Sequence, residues 1–153
     1  MDNDSWRQLV GDIIWGVEEY KRTSHAIYFV RYHFCWGVKY RRTVITKLLG
    51  QYLRNVMKEI ADSYGWEIIT QGMETDHYHI LICVQPRWSP AKVVEKLKSN
   101  SAKGVFRRFP DVKNRLWGGE FWADGYCITT VGKEMNADQI KKYIEKQDIT
   151  IRL

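Results

Sequence analysis

The stretch "WEIITQGMETDHYHILICV" (residues 66–84) decides the architecture. Trp66–Gly72 and His77–Val84 are both rich in β-branched and aromatic side chains, and the polar segment Met73–Asp76 joins them, so the stretch predicts an antiparallel hairpin. Side chains alternate along a strand, which sends His77, His79, Leu81 and Cys83 one way and Tyr78, Ile80, Ile82 and Val84 the other. If the tyrosine and isoleucines pack against helices, both imidazoles project from the opposite face. Their Cα atoms would then be about 7 Å apart, close enough for the rings to converge on one metal ion. Taken alone, the pair is more simply read as polar residues on an exposed strand face, because two ligands do not make a metal site.

On the N-terminal side of the hairpin, Thr43 to Tyr64 repeats apolar residues at helical spacing (Val44, Ile45, Leu48, Leu49, Tyr52, Leu53, Val56, Met57, Ile60, Ala61), and Gly65 is a suitable stop. On its C-terminal side, Ser89 caps a helix with Pro90 at the first position. That helix runs to about Arg108, with Val93, Val94, Leu97 and Ser101 inward and the lysines outward. Further out, Ala26 to Trp36 alternates as a strand: Ala26, Tyr28, Val30, Tyr32, Phe34 and Trp36 form one apolar face, and the other mixes Ile27, Phe29 and Cys35 with Arg31 and His33. Gly125 to Val131 supplies one more strand, and a last helix follows. The order β-α-β-β-α-β-α predicts an α+β, ferredoxin-like fold, an RNA-recognition-like antiparallel sheet with two helices on one face and the other face free. Such a fold hosts RNA-binding modules and enzymes alike.

A chain of 153 residues fits one domain with a workable core. Cys35, Cys83 and Cys127 are odd in number and far apart, which suggests neither a disulfide framework nor a CxxC metal site and fits a reducing compartment. Residues 6–20 carry Trp6, Leu9, Val10, Ile13, Ile14 and Val17 at helical spacing, a short amphipathic helix whose role is not legible. Asp2, Asp4 and Asp12 do not suit a secretory signal, and no apolar run approaches the ~20 residues of a membrane span. A soluble, cytoplasmic, nucleoid-associated protein without membrane contact is expected.

The net charge of +6 and a pI near 9.2 suit a polyanionic partner, and the clustering of cations is more informative than their sum. Lys39, Arg41 and Arg42 follow Trp36 and Tyr40, while Lys92, Lys96, Lys98, Lys103, Arg107 and Arg108 lie along one segment. Rings beside cations suit unpaired bases as well as phosphates. These residues are candidate contacts to nucleic acid, as a patch more than singly.

The last helix raises the standing of the two histidines. Asn136 with Gln139 forms a capping box, Met135 can staple to Ile140, and the face that follows is Ile140, Tyr143, Ile144 and Gln147. Tyr143 and Gln147 are one turn apart, so a phenol and an amide carbonyl can reach the same point, although Tyr143 alone would simply complete an apolar stripe. So short a helix must dock to persist, and Gly132 offers a hinge before it. Lys141, Lys142 and Lys146 on its other sides would attract an anionic substrate. Two imidazoles and one carbonyl around a metal, beside a tyrosine and basic residues, are what a phosphodiester transesterification would need.

Four blocks, "RYHFCWGVKYRR" (31–42), "DHYHILICV" (76–84), "LWGGEFWADGYCITTVG" (116–132) and "IKKYIEKQ" (140–147), together resemble the single-tyrosine HUH transposases of small insertion sequences, the TnpA type. The resemblance covers residues 25–147 in the family's order. It implies a single-strand DNA transposase acting on hairpin ends as a homodimer, with a divalent metal, Mg²⁺ or Mn²⁺. Residue by residue, His77 and His79 match the HUH metal ligands, Gln147 the third ligand and Tyr143 the nucleophile. The tyrosine helix, about 136–147, is expected on the open face of the sheet, exchanged with the partner subunit. Residues 1–24 form an extension beyond the usual start, and the chain stops soon after Gln147.

The chemistry implied is attack by Tyr143 on a phosphorus of single-stranded DNA, giving a 5′-phosphotyrosine and a free 3′-OH, then rejoining by a second 3′-OH without ATP or a nicotinamide. Imidazole ligands by themselves favour softer transition metals, so Mg²⁺ or Mn²⁺ rests on the resemblance. Rival readings are a replication initiator or relaxase with the same chemistry, a domesticated transposase, and a non-catalytic RNA-binding module using Tyr28, Tyr32 and Trp36.

Overall fold

The computed structural model of the chain describes residues 21–116 and 119–132. Lys21–Arg22 (β1) and Ile27–Tyr28 (β2) form a small hairpin. The main sheet comprises Arg31–Gly37 (β3), Glu67–Met73 (β4), His77–Cys83 (β5) and Cys127–Thr130 (β6), antiparallel throughout in the order β4-β5-β3-β6. Lys47–Tyr64 (α1) and Pro90–Arg108 (α2) are the two long helices, and Pro110–Arg115 (α3) follows as a single short turn. This is the split βαβ arrangement expected from the hairpin and its flanking helices. The expected helices at 6–20 and about 136–147, with Tyr143 and Gln147, lie outside the described residues.

Local chemistry accounts for the element ends. Helix α1 begins later than its apolar stripe, because the Thr46 hydroxyl accepts from the Leu49 N–H at 3.2 Å and holds Thr46 extended. Val44 and Ile45 are buried all the same, in a segment tied to the β4–β5 turn by Ile45 N–H donating to the Thr75 carbonyl at 2.9 Å. Gly65 ends the helix in the left-handed conformation at φ 72°. Ser89 caps α2, with Pro90 at its first position. The first central strand is shorter than its alternation suggests. Arg31 already pairs with Cys83, the last residue of β5, so the residues upstream have little ladder left to join and turn back as β1–β2.

The core lies between the sheet and the helices. Phe34, Trp36, Tyr78, Ile80 and Ile82 meet Leu49, Leu53, Met57 and Ile60 from α1 and Val93, Val94, Leu97 and Val105 from α2. A bulge between Ile68 and Thr70 returns Ile68 to this face opposite Ile82. Within the core the Trp122 indole N–H donates to Ser101 Oγ at 2.9 Å. Ser101→Ala strands that buried donor, so urea unfolding should show a loss of about 1–3 kcal/mol, as a lower midpoint at unchanged slope.

Candidate active site

The alternation along β5 has the expected sense. Tyr78, Ile80 and Ile82 enter the core, and His77 and His79 lie on the face away from the helices. Neither imidazole is a solvated surface group: His77 is fully buried and His79 only 9% exposed. Their ring centroids are 6.4 Å apart with planes inclined by 31°, and His33 meets His79 edge-on at 6.2 Å.

Each histidine faces a glycine on a neighbouring strand, Gly37 of β3 opposite His77 and Gly72 of β4 opposite His79. A Cβ on Gly72 would stand 2.5 Å from His79 Cε1 and 2.6 Å from Nε2, so the His79 ring occupies the space that only glycine leaves. At Gly37 a Cβ would stand 2.9 Å from Arg41 Cδ. The Arg41 side chain crosses β3 there.

That crossing leads to Asp76. Its Oδ2 accepts from Arg41 Nη2 at 3.1 Å and Nε at 3.3 Å, and its Oδ1 pairs with His77 Nδ1 at 2.8 Å. Partial burial alone would raise the Asp76 pKa, but the hydrogen bonds from His77 and Arg41 and the guanidinium charge outweigh it and hold the carboxyl below its usual range. An ionised carboxylate only accepts, so in this contact Nδ1 of His77 is the donor. The chain reaches this arrangement through a turn in which Tyr40 and Arg41 both have positive φ, 58° and 52°.

The cations expected to contact DNA divide into groups. Arg41 is engaged with Asp76, and Lys39 pairs with Glu120 at 2.7 Å and lies 3.8 Å from Asp124. Arg42 is exposed on the same turn. Lys92, which pairs with Glu95 at 3.1 Å, and the half-buried Lys96 belong to α2, as do the exposed Lys103 and Arg107. Helix α2 packs on the opposite side of the sheet from the histidines, so the sheet does not bring this group to the His77–His79 face. Lys98 departs from the outward pattern, since its ammonium donates to the carbonyls of Ala123 and Gly125 at 2.7 and 2.9 Å. Gly132 is exposed one residue beyond Val131, and a Cβ placed on it would meet no other atom of the described residues within 4 Å. Among the described residues no cluster of three or more His, Cys, Asp or Glu could by itself hold a metal ion, so a site built on His77 and His79 needs a ligand from elsewhere.

Comparison with known proteins decides the family. The model of the family "Transposase IS200 like" matches residues 26–147, a span that includes β3, the histidine pair and the tyrosine segment. The chain belongs to the IS200-like transposases. Among its IS200-like relatives, the ISDra2 transposase TnpA of Deinococcus radiodurans is 38% identical over 129 residues, covering 84% of this chain and 91% of the relative. The transposase for insertion sequence element IS200 of Salmonella typhimurium is 28% identical over 127 residues, 83% and 82% of the two chains. In structure, a transposase candidate from Deinococcus radiodurans R1 superposes with a TM-score of 0.69 at 32% identity, covering 83% of this chain and 97% of that one. A REP-associated tyrosine transposase solved with a REP hairpin shares the fold, with a TM-score of 0.53 at 12% identity over 80% and 67% of the chains. No helix among the described residues of this IS200-like chain is long and apolar enough to cross a membrane.

Sequence reading passed over Asp76, Gly37 and Gly72. An aspartate directly before the His-x-His pair was a usable signal. The glycines carried none until strand register put them opposite the imidazoles.

Proposed function

We propose that this transposase cleaves and rejoins single-stranded DNA at insertion-sequence ends, with Tyr143 as the nucleophile and His77, His79 and Gln147 as ligands of a divalent metal, Mg²⁺ or Mn²⁺. The observation that carries the reading is the pair of imidazoles on the face of the sheet opposite the helices, with one Nδ1 committed to a carboxylate. The donor set is of the kind that fits a metal: two imidazoles share one face, and Asp76 engages His77 through Nδ1, so Nε2 would be the ring nitrogen that binds the ion. A bound divalent cation would supply charge stabilisation to the phosphate oxygens as the bond to the 3′ oxygen breaks.

The chain's own part is nucleophilic and positional. The Tyr143 phenol oxygen attacks phosphorus, the phosphorus to 3′-oxygen bond breaks, and the 3′-hydroxyl leaves with a proton while the 5′-phosphate stays on the tyrosine. The phosphodiester count is unchanged. Attack by another 3′-hydroxyl on the phosphotyrosine then rejoins strands and restores the phenol, without a nucleotide cofactor. Gly132 would let the tyrosine segment swing, and exchange of that segment between two copies makes the working unit a homodimer. Hairpin recognition is supported by the REP-associated tyrosine transposase of the same fold, which was solved bound to a REP hairpin. Of the cations expected to contact DNA, Arg42 is exposed on the turn after β3, and Lys96, Lys103 and Arg107 on α2 would meet only strand that passes to the helix side of the sheet.

The decisive experiment incubates the full chain with hairpin-forming single strands from the flanks of its gene, with Mg²⁺ or Mn²⁺. A covalent protein–DNA adduct on a denaturing gel is the expected product, and none with any flank or metal would remove the reading. Gly72→Ala tests the geometry on the same substrate. Its methyl would displace the His79 ring, and a misplacement of that size should lower cleavage by roughly 10²-fold while the circular dichroism spectrum stays that of the parent.

A further inference from the structure

Arg41 looks from its neighbours like a phosphate contact, yet its guanidinium is turned back onto Asp76. As an ion pair this is a poor bargain for the fold. The Arg41 side chain is 42% exposed and that of Asp76 27% exposed, and such partly solvated pairs add little stability. The turn that delivers it nonetheless holds two consecutive non-glycine residues, Tyr40 and Arg41, in the left-handed region. Several bonds hold the turn there. Val38 N–H donates to the Asp76 carbonyl and Arg41 N–H to the Val38 carbonyl, both at 2.8 Å, and Lys39 N–H donates to the Phe121 carbonyl at 2.9 Å. The Lys39 side chain adds its pair with Glu120. Opposite His77, Gly37 leaves the path that the Arg41 side chain follows.

What this construction secures is one carboxylate with its two oxygens divided: Oδ2 to the guanidinium, Oδ1 to His77 Nδ1. A single hydrogen bond to an aspartate would leave the carboxylate able to rotate about its χ2 torsion, whereas the second oxygen gripped by a planar fork cannot. We infer that Arg41 and Asp76 are positioning residues that fix the tautomer and plane of the His77 imidazole, and so set the chain's affinity for its divalent cation. The inference rests on His77 being a metal ligand, as proposed above.

The test measures Mn²⁺ binding to the full chain without DNA, by electron paramagnetic resonance of the free ion, for the parent, Arg41→Gln, Arg41→Lys, Asp76→Asn, His77→Ala and the surface variant Arg115→Gln. Arg41→Gln and Asp76→Asn should each weaken Mn²⁺ binding by roughly 10–100-fold. Arg41→Lys keeps the charge but loses the fork and should fall between these and the parent, and Arg115→Gln should bind as the parent does. A second readout separates positioning from general damage. The ¹⁵N–¹H spectrum of the His77 ring should show the Nδ1–H tautomer in the parent and a mixture in Asp76→Asn, whose urea midpoint stays close to the parent's.

If His77→Ala weakens Mn²⁺ binding while Arg41→Gln and Asp76→Asn remain within twofold of the parent, the positioning role is wrong and the metal site stands. If His77→Ala itself binds as the parent does, the metal reading fails and takes the inference with it. Should either substitution at Asp76 or Arg41→Gln unfold the chain, Arg41→Lys decides: parent-like affinity with a mixed tautomer, or the reverse, overturns the link between ring orientation and binding.

Discussion

Tyr143→Phe is expected to abolish the covalent protein–DNA adduct and to lower strand cleavage on the order of 10³-fold or more, while binding of the hairpin strand persists. The change removes one oxygen atom and leaves the ring. Its effect on the fold should be small, and its effect on a nucleophilic mechanism close to total. The tyrosine next to the histidines in sequence cannot substitute. Tyr78 is fully buried on the helix side of the sheet, its hydroxyl donates to Gln71 Oε1 at 2.9 Å, and burial pushes its pKa well above the usual phenol value. Burial likewise raises Tyr28, against a weaker opposing effect of Lys21. Tyr78→Phe is therefore a matched control that should keep cleavage near the parent level. An adduct that survives Tyr143→Phe would transfer the nucleophile to another phenol, with exposed Tyr40 and Tyr126 the first to map by peptide mass.

Where the fold was legible, periodicity and end signals agreed. The β4–β5 hairpin, the Ser89–Pro90 start of α2 and the inward set Val93, Val94, Leu97 and Ser101 all follow from local rules, and each is buried or capped as those rules require. Elements set by competition between neighbours were not legible. Nothing within residues 26–30 says that β5 will end at Cys83 and leave Ile27 and Tyr28 to pair with Lys21–Arg22. The same division runs through the site. The two histidines were found because strand alternation is a one-dimensional rule. Charge is not such a rule: Lys39 and Arg41 read as DNA contacts because a sequence shows that a cation is present but not which anion it will meet. The strand register and the left-handed turn at Tyr40–Arg41 choose Glu120 and Asp76 as those anions. Lys98, captured by two backbone carbonyls, is a third instance.

Removing the divalent metal should be as damaging as removing the nucleophile. With EDTA present, cleavage and strand transfer are both expected to fall by roughly 10³-fold or more, because charge developing on the phosphate oxygens would lose its main counter-charge. Chelation acts on an unaltered chain, which matters here. His77 is fully buried, so His77→Ala opens a cavity and strands Asp76 as well as deleting the proposed ligand, and loss of activity in that variant alone would be ambiguous. His79→Asn leaves the Arg41–Asp76–His77 arrangement untouched and supplies the cleaner single substitution. It should match the EDTA result, and added Mn²⁺ should restore the chelated parent but not the variant at equal concentration. Activity unchanged by EDTA would remove the metal from the mechanism and leave the buried imidazoles as acid–base groups. Hairpin binding that is insensitive to EDTA, with no cleavage in either condition, would instead favour a module that recognises nucleic acid on the same sheet without cutting it.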